Sequence, residues 1–377
     1  MRVLGTAVLA LLFVHLCITL VNLLYLRRRP PRRPAAWPGV SVLIPARDEE
    51  SNIAACVLSY LGSRYPDFEV IVLDDESRDR TSAILAGLKR GRPRLRVLKG
   101  SPLPKGWVGK NWACWRLARA ARHPFFLFAD ADTRARPGLL KELAAASLER
   151  GSDLLSGFPQ EVMDNFWTAL GLPYLYYIGL AAFPLAWLAK PWFPVGIANG
   201  QCLFFRRAAY RRVGGHRAVK GELVEDYRLG TAVKRLGLRL DLVDLGEFLS
   251  CRMYGSLGEI WQGFSKNLYL MAFRPWLAPL VLLAHYLLWV GPWLSLAWGL
   301  ARHWPAGALA LPACMVGLVL VQRLSIAAFF GQSLAMCLLH PLSVLFMDSI
   351  LARSVLLRWH PQGRPWKGRR YKPAAGA

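Results

Sequence analysis

Phe125-Phe126-Leu127-Phe128-Ala129-Asp130-Ala131-Asp132-Thr133 is an apolar run that ends in two acids one residue apart. A short apolar stretch closed by turn-forming Asp reads as a buried strand. Residues i and i+2 at a strand end project the same way, so Asp130 and Asp132 can face one hard cation and the diphosphate it carries. Asp also favours turns and helix starts, so a strand followed by a helix N-cap fits these nine residues as well. The surrounding sequence has to decide.

Upstream, residues 40–44 read as a strand, 50–61 as a helix, 68–73 as a strand, and 79–89 as a helix opened by Asp79-Arg80-Thr81. Residues 95–98, 111–122 and 125–129 continue the alternation, and Pro137 opens a further helix to about residue 149. The fold class is α/β: a mostly parallel, Rossmann-like sheet with helices on both faces and ligands beyond the carboxyl ends of its strands. Three successive strand ends carry polar clusters, Pro45-Ala46-Arg47-Asp48-Glu49-Glu50, Asp74-Asp75-Glu76-Ser77 and Asp130-Ala131-Asp132. A nucleotide site needs such clusters to converge on one crevice.

The chain has 377 residues, 54% of them hydrophobic, and a mean hydropathy of +0.27. The apolar residues gather at the two ends, as in a membrane protein. Residues 3–26 are interrupted only by His15 and Asn22 and are long enough to cross a hydrocarbon core of about 30 Å. Arginines and prolines follow where a signal peptide would have a cleavage site. Residues 1–26 therefore read as an uncleaved anchor with its N-terminus outside, and residues 27–39 as a basic linker to a cytoplasmic domain over 40–255. The formal charge of +24 comes from 48 basic and 24 acidic residues. The basic residues flank apolar segments: Arg27, Arg28, Arg29, Arg32 and Arg33 after the first, and Arg358, Arg364, Lys367, Arg369, Arg370 and Lys372 in and beside a tail over 360–377. That placement speaks for anionic lipid and against nucleic acid. The seven cysteines, 17, 56, 114, 202, 251, 314 and 337, show no Cys-x-x-Cys spacing, hence no zinc site or disulfide framework, and suit a reducing cytosolic face.

Residues 166–195 hold Trp167, Tyr174, Tyr176, Tyr177, Trp187 and Trp192 and are broken by Pro173, Pro184, Pro191 and Pro194. They read as a segment half-sunk in the membrane interface, or as a buried helix pair. Residues 202–205 read as a strand, 206–213 as a short helix, and Glu225-Asp226 as the start of a helix to about residue 235. Acids there complement the helix dipole or supply a catalytic base. Residues 256–275 read as an interfacial helix, with Ile260, Trp261, Phe264 and Leu268 set against Glu259, Gln262, Lys266 and Asn267. Residues 276–359 are C-terminal membrane segments. One covers 276–301; a second runs from 306 to about 330 with Gln322 and Arg323 inside its helix. The third, 334–359, contains Pro341, Asp348 and Arg353 and reads as interfacial or re-entrant, since two crossings already return the basic tail to the cytoplasm.

The ordered set Ile44-Pro45-Ala46-Arg47-Asp48-Glu49-Glu50, Leu73-Asp74-Asp75-Glu76-Ser77, Gly106-Trp107-Val108-Gly109-Lys110-Asn111-Trp112, Asp130-Ala131-Asp132 and Glu225-Asp226 resembles the family 2 glycosyltransferases. The likeness is to membrane-anchored bacterial members acting on carotenoid, hopanoid or ceramide-type lipids. It covers roughly residues 38–270, with more at Trp366-Lys367-Gly368-Arg369-Arg370-Tyr371. It implies the GT-A fold, a UDP-sugar donor, Mn2+ or Mg2+, and inverting transfer of a single sugar to a lipid hydroxyl or carboxyl at the inner (plasma) membrane. It further implies that Pro45, Ala46 and Glu49 line the nucleotide pocket, Asp75 contacts uridine, Lys110 lies near the base, Asp130 faces the donor, Asp132 holds the metal, and Asp226 is the general base with Glu225 as its rival. Gln262 and Lys266 are candidates for contact with the donor diphosphate, although a lysine snorkelling to an interface is the commoner reading of Lys266. Processive polysaccharide synthases carry Gln-x-x-Arg-Trp where this chain has Gln262-Gly263-Phe264-Ser265-Lys266-Asn267, which speaks against polymer synthesis. A membrane-bound nucleotidyltransferase is the other alternative, opposed by the membrane segments and the Glu-Asp pair.

Overall fold

The computed structural model describes residues 2–27, 30–190, 192–266, 268–269, 275–357, 364–366 and 368–371. Of the residues invoked above, Arg28, Arg29, Pro191, Asn267, Arg358, Lys367 and Lys372 lie outside the described residues. The described residues divide into two compact units, one formed by Leu26–Val162 and Ala186–Met253, the other by residues 2–25, Met163–Leu185 and those from Tyr254 onward.

The first unit is built on ten strands: β1 (Val40–Ala46), β2 (Phe68–Asp74), β3 (Leu95–Lys99), β4 (Phe125–Phe128), β5 (Thr133–Ala135), β6 (Leu154–Phe158), β7 (Gln160–Glu161), β8 (Leu203–Arg206), β9 (Leu240–Asp244) and β10 (Leu249–Cys251). Seven of them form one sheet in the order β3-β2-β1-β4-β8-β6-β9. Only β8 runs against the rest, paired antiparallel to both β4 and β6. β2 is buried along its whole length, as strands covered by helices on both faces must be, which is why its sequence is a continuous apolar run and does not alternate. The Ile53–Leu61 helix buries Ile53, Cys56, Val57 and Tyr60, an i, i+3, i+4, i+7 stripe. These join Val42, Ile44, Val70, Val72, Leu127 and Leu143 in one core. The chain order places β1 between β2 and β4, the switch point beyond which an open α/β sheet leaves a crevice. A second, three-stranded sheet, β5-β10-β7, starts at Thr133, directly after the Asp130-Ala131-Asp132 turn.

In the second unit, Val3–Leu26, Ala278–Ala301, Ala306–Phe329 and Ala335–Leu356 are long and apolar enough to cross a membrane. The last of these is one continuous apolar helical stretch by length and composition, where the sequence read as interfacial or re-entrant. Gln322 and Arg323 are buried within the third. The Gln322 amide accepts from Tyr177 Oη and donates to Thr19 Oγ1, both at 2.7 Å. Arg323 donates to Gln332 Oε1 at 2.7 Å. Pro173 sits in the first turn of the Pro173–Ala181 helix, the one helical place where its missing N–H costs nothing. The amphipathic helix spans Leu257–Ser265 and is capped by the Ser256 hydroxyl. Its apolar face is spent on protein: Ile260 and Phe264 are buried, Phe264 meets Tyr254, and Trp261 lies between Phe346 and Arg353. Gln262 is on this helix and Lys266 caps it, so both belong to this unit.

Candidate active site

The loops after β1 and β2 are laced together. Asp48 and Glu76 take left-handed backbone conformations, φ 51° and 59°, which turn the two loops toward each other. The Asp48 N–H donates to Ser77 Oγ at 3.0 Å and the Asp48 carboxylate accepts from the Arg78 N–H at 2.7 Å. The Asp75 N–H donates to the Ala46 carbonyl, and Arg47 donates to the Asp75 carbonyl. Pro45, Ala46 and Asp75 thereby lie at adjacent strand ends, with Asp75 buried. Glu49 stands in the turn before the Ile53–Leu61 helix, its carboxylate accepting from the N-cap Asn52 at 3.2 Å.

After β4 the chain turns at Asp130. The Thr133 N–H and hydroxyl both donate to the Asp130 carbonyl, and Tyr60 Oη meets Thr133 Oγ1 at 3.0 Å. The Gly109–Ala120 helix brings Lys110 to this turn. Its start is clamped to the segment before Glu225: the Val108 N–H donates to the Lys220 carbonyl, and the buried Asn111 amide donates to the carbonyls of Val219 and Glu222, each at 2.8 Å. Lys110 Nζ consequently lies 2.7 Å from Asp130 Oδ1 and 2.7 Å from Glu225 Oε1. Burial alone would lower its pKa; the two carboxylates outweigh that and hold it well above an ordinary lysine.

Asp226, the next residue, makes no ion pair among the described residues. Its Oδ2 accepts from the Gly200 N–H at 2.9 Å and its Oδ1 from its neighbour's N–H, that of Tyr227, at 2.7 Å. Burial first, then the charge of Glu225, pushes its carboxyl up to about 6. Gly200 is the close approach that makes the cluster possible: a Cβ there would stand 3.2 Å from Asp226 Oδ2 and 3.3 Å from Lys110 Nζ.

Asp132 is the opposite case. Its Oδ1 is buried with no hydrogen-bond partner. Burial, then Asp130 and Glu49, push the carboxyl up to about 7, while the Cys251 thiol hydrogen-bonds to it. An acceptor-only oxygen left unpaired in a polar crevice is what a hard divalent cation would satisfy, alongside the oxygens of a diphosphate. The residues present fit such an ion. Among the described residues no group of three or more His, Cys, Asp or Glu is arranged to hold a metal by protein ligands alone, and Mg2+-type sites that share one or two carboxylates with substrate phosphates do not need one.

The structure thus brings Asp130, Asp132, Lys110, Glu225 and Asp226 to one end of the sheet, with Ala46, Glu49 and Asp75 on the neighbouring strand ends. Asn199, Gly200, Gln201 and Glu161 carried no role in the sequence reading. The signal available was Asn199-Gly200-Gln201-Cys202, a polar, Gly-containing run directly before an apolar strand, the same pattern that singled out the other strand ends.

The fold is similar to that of the mannosyltransferase PcManGT of Pyrobaculum calidifontis, solved in complex with GDP-Man and Mn2+. The TM-score is 0.54 at 18% identity, over 94% of this chain and 98% of that one. It is a GT-A-like fold. Residues 7–252 match the sequence profile of glycosyl transferase family 21, and the chain belongs to that family. The family number differs from the family 2 resemblance; the class of enzyme does not. The 4,4'-diaponeurosporenoate glycosyltransferase of Staphylococcus haemolyticus (strain JCSC1435) is 26% identical over 234 residues, 61% of this chain and 60% of that protein. The protein of the same name in Staphylococcus aureus (strain MRSA252) is 25% identical over 355 residues, 88% of each. The matched region therefore spans about 60% of the length of the first of these relatives.

Proposed function

We propose that this protein transfers one sugar from a nucleoside-diphosphate sugar, UDP-linked in the first instance, to a hydroxyl or carboxyl of a membrane lipid, inverting the anomeric carbon. The observation that carries the reading is the division of acids at the sheet end: Asp130 and Glu225 share the single charge of Lys110, Asp132 keeps an unsatisfied oxygen, and Asp226 has backbone partners only. The carotenoid-acid glycosyltransferases among the relatives support a long apolar acceptor. The PcManGT complex supports a nucleotide sugar with a divalent cation.

On this reading Ala46, Glu49 and Asp75 receive the nucleoside. Asp132, with Asp130 beside it, would hold Mn2+ or Mg2+, and the ion when bound would supply positive charge for the departing diphosphate. Lys110 adds a fixed positive charge at the same place and holds Asp130 in position. Asp226 takes the proton from the acceptor hydroxyl as its oxygen attacks the anomeric carbon from the face opposite the diphosphate. A single displacement of that kind inverts the centre. The pKa near 6 suits a base working at neutral pH: mostly ionised, yet stronger than an ordinary carboxylate. We place the protein in the inner membrane with the catalytic unit on the cytoplasmic side, because Arg27, Arg32 and Arg33 follow the first apolar helix.

The test is lipid mass spectrometry of cells with and without the gene, followed by reconstitution of purified protein with UDP-sugars and GDP-mannose in parallel. A lipid that gains one hexose mass and appears only with the gene is the expected result. Transfer from GDP-mannose alone would replace the UDP assignment. A ladder of masses would replace single-sugar transfer with polymerisation.

A further inference from the structure

Glu161 ends β7, the two-residue strand of the small sheet, and its register is fixed by both neighbours. Cys251 pairs with Glu161 in the parallel β10–β7 ladder and with Thr133 in the antiparallel β10–β5 ladder. Three residues in register across adjacent strands lie side by side at about 5 Å per strand, so Glu161 is set one strand beyond Cys251 from the end of the Asp130-Ala131-Asp132 turn. The Arg252 N–H donates to the Asp132 carbonyl at 3.2 Å, which fixes the turn to β10.

The surroundings of Glu161 are built. The Gln201 side chain, 4% exposed, donates from Nε2 to Glu161 Oε1 at 2.8 Å and to Cys251 Sγ at 3.0 Å. Gln201 is itself held by Asn199 through Nδ2 to Oε1 and through its own N–H to Oδ1, both at 3.0 Å. The thiol of Cys251 completes the chain by reaching Asp132. One oxygen of each acid is accounted for in this way. The other two, Asp132 Oδ1 and Glu161 Oε2, are both buried and both without a hydrogen-bond partner, and neither acid has an ion pair among the described residues. Glu161 is moreover close enough to feel the charge of Asp132. Two half-buried carboxyls within electrostatic reach of each other, each with one buried oxygen left without a partner and both hydrogen-bonded to the Gln201–Cys251 pair, offer two acceptors that a hard cation can share.

We propose that Glu161 is the second protein carboxylate of the divalent-cation site, opposite Asp132. This rests on the reading of Asp132 as a metal ligand given above and extends it to a residue outside every motif that suggested the site. Two carboxylates plus the diphosphate oxygens give a hard cation the oxygen set it requires. Gln201 then acts as a positioning residue, turning Glu161 so that Oε2 and not Oε1 is presented.

The experiment titrates Mn2+ into the purified full-length protein in the presence of UDP, reading bound metal by calorimetry and by the loss of the free Mn2+ electron paramagnetic resonance signal. Glu161→Gln should raise the Mn2+ Kd tenfold or more while its metal-free melting temperature stays level with wild type or rises. Glu161→Asp, which keeps the charge and shortens the reach, should fall between the two and serves if the Gln variant does not fold. An unchanged Kd in Glu161→Gln, with Asp132→Ala no longer binding Mn2+, overturns the proposal and leaves Asp132 as ligand. An unchanged Kd in Asp132→Ala overturns the metal assignment itself, and the proposal with it. An unchanged Kd together with a fall in the metal-free melting temperature of Glu161→Gln makes Glu161 a protonated structural acid, again against the proposal.

Discussion

Lys110 and Glu225 meet at 2.7 Å, Nζ to Oε1, and the same ammonium meets Asp130 at 2.7 Å. Glu225 and Asp226 are adjacent at a helix start, and consecutive helical side chains point about 100° apart. Whichever acid faces Lys110, its neighbour is turned elsewhere. Glu225 takes the cation and is 5% exposed; Asp226 turns to the Gly200 N–H. A carboxylate engaged by an ammonium is a weak proton acceptor, so this contact separates the two roles.

Glu225→Gln is therefore expected to act on structure more than on chemistry. Lys110 keeps Asp130 and loses one of its two counter-charges. With about a third of the Lys110 side chain open to solvent, the cost is about 1–2 kcal/mol of stability, below the ~3–5 of a fully buried pair. Thermal melts and steady-state kinetics on the same preparation decide it. A loss in kcat of tenfold or less fits; a collapse beyond 10²-fold with donor binding intact would make Glu225 the base.

The pH profile carries a sign. Asp226 must be ionised to accept a proton, and its carboxyl is pushed up to about 6. The kcat/KM should therefore fall about tenfold per unit as pH drops below about 6. Glu225 raises that value and Lys110 lowers it, so Glu225→Gln should move the acid limb down and Lys110→Met should move it up. Limbs that stay fixed in both variants would assign the titration to another group.

Asp132 offers a stability test that does not depend on turnover. In the metal-free protein its carboxyl, ordinarily near 3.8, titrates near 7 because burial and then Asp130 penalise the charge. Between those two values the folded state binds the extra proton, so the contribution of Asp132 to stability falls as pH rises through that window. Metal-free wild type should lose more melting temperature between pH 5 and pH 8 than Asp132→Asn does, and the variant should melt higher at pH 8. Mn2+ with UDP should raise wild type and leave the variant unmoved. Parallel slopes for the two proteins would refute the assignment.

How far the sequence reached follows from how local each signal is. The strand ends at Ala46, Asp74 and Asp130 were legible because a buried parallel strand is an apolar run and the acids that stop it stand beside it in the chain. The antiparallel insertion of β8 between β4 and β6 was not, because Leu203–Arg206 reads the same whichever direction it is laid in. The β5-β10-β7 sheet is built from strands of two or three residues, too short for any period to register. Lys110 was placed near the base by resemblance; that it ties Asp130 to Glu225 depends on the Asn111 clamp to residues more than a hundred positions away. Trp261 and Phe264 were legible as an apolar helical face, yet sequence could not tell whether protein or lipid covers it, and here it is Tyr254 and Phe346.

Gly200→Ala is the smallest change that should disturb the chemistry. The new methyl would stand 3.2 Å from Asp226 Oδ2, 3.3 Å from Lys110 Nζ and 3.6 Å from Glu225 Oε1. Both side chains nearest to it would have to shift by a few tenths of an ångström. Because catalytic geometry is so sensitive to displacement, kcat should fall tenfold or more with little change in melting temperature. A variant that melts and turns over like wild type would remove Gly200 from the site.

Asp226→Asn distinguishes the two acceptor chemistries that a lipid can offer. The amide keeps the shape and, through its one oxygen, one of the two backbone N–H bonds that the carboxylate accepts, while abolishing the base, so donor binding should survive. If the acceptor is a hydroxyl, its proton has to go somewhere as the new bond forms, and kcat should fall by about 10²-fold or more. If the acceptor is a carboxyl, it is already ionised at neutral pH and has no proton to surrender, so the loss should be far smaller. The product reports the same distinction independently: a glycosyl ester is cleaved by mild alkali and a glycoside is not. An alkali-stable product paired with a full-strength Asp226→Asn enzyme would move the base to another residue, whereas an alkali-labile product paired with a 10²-fold loss would give Asp226 work other than proton abstraction.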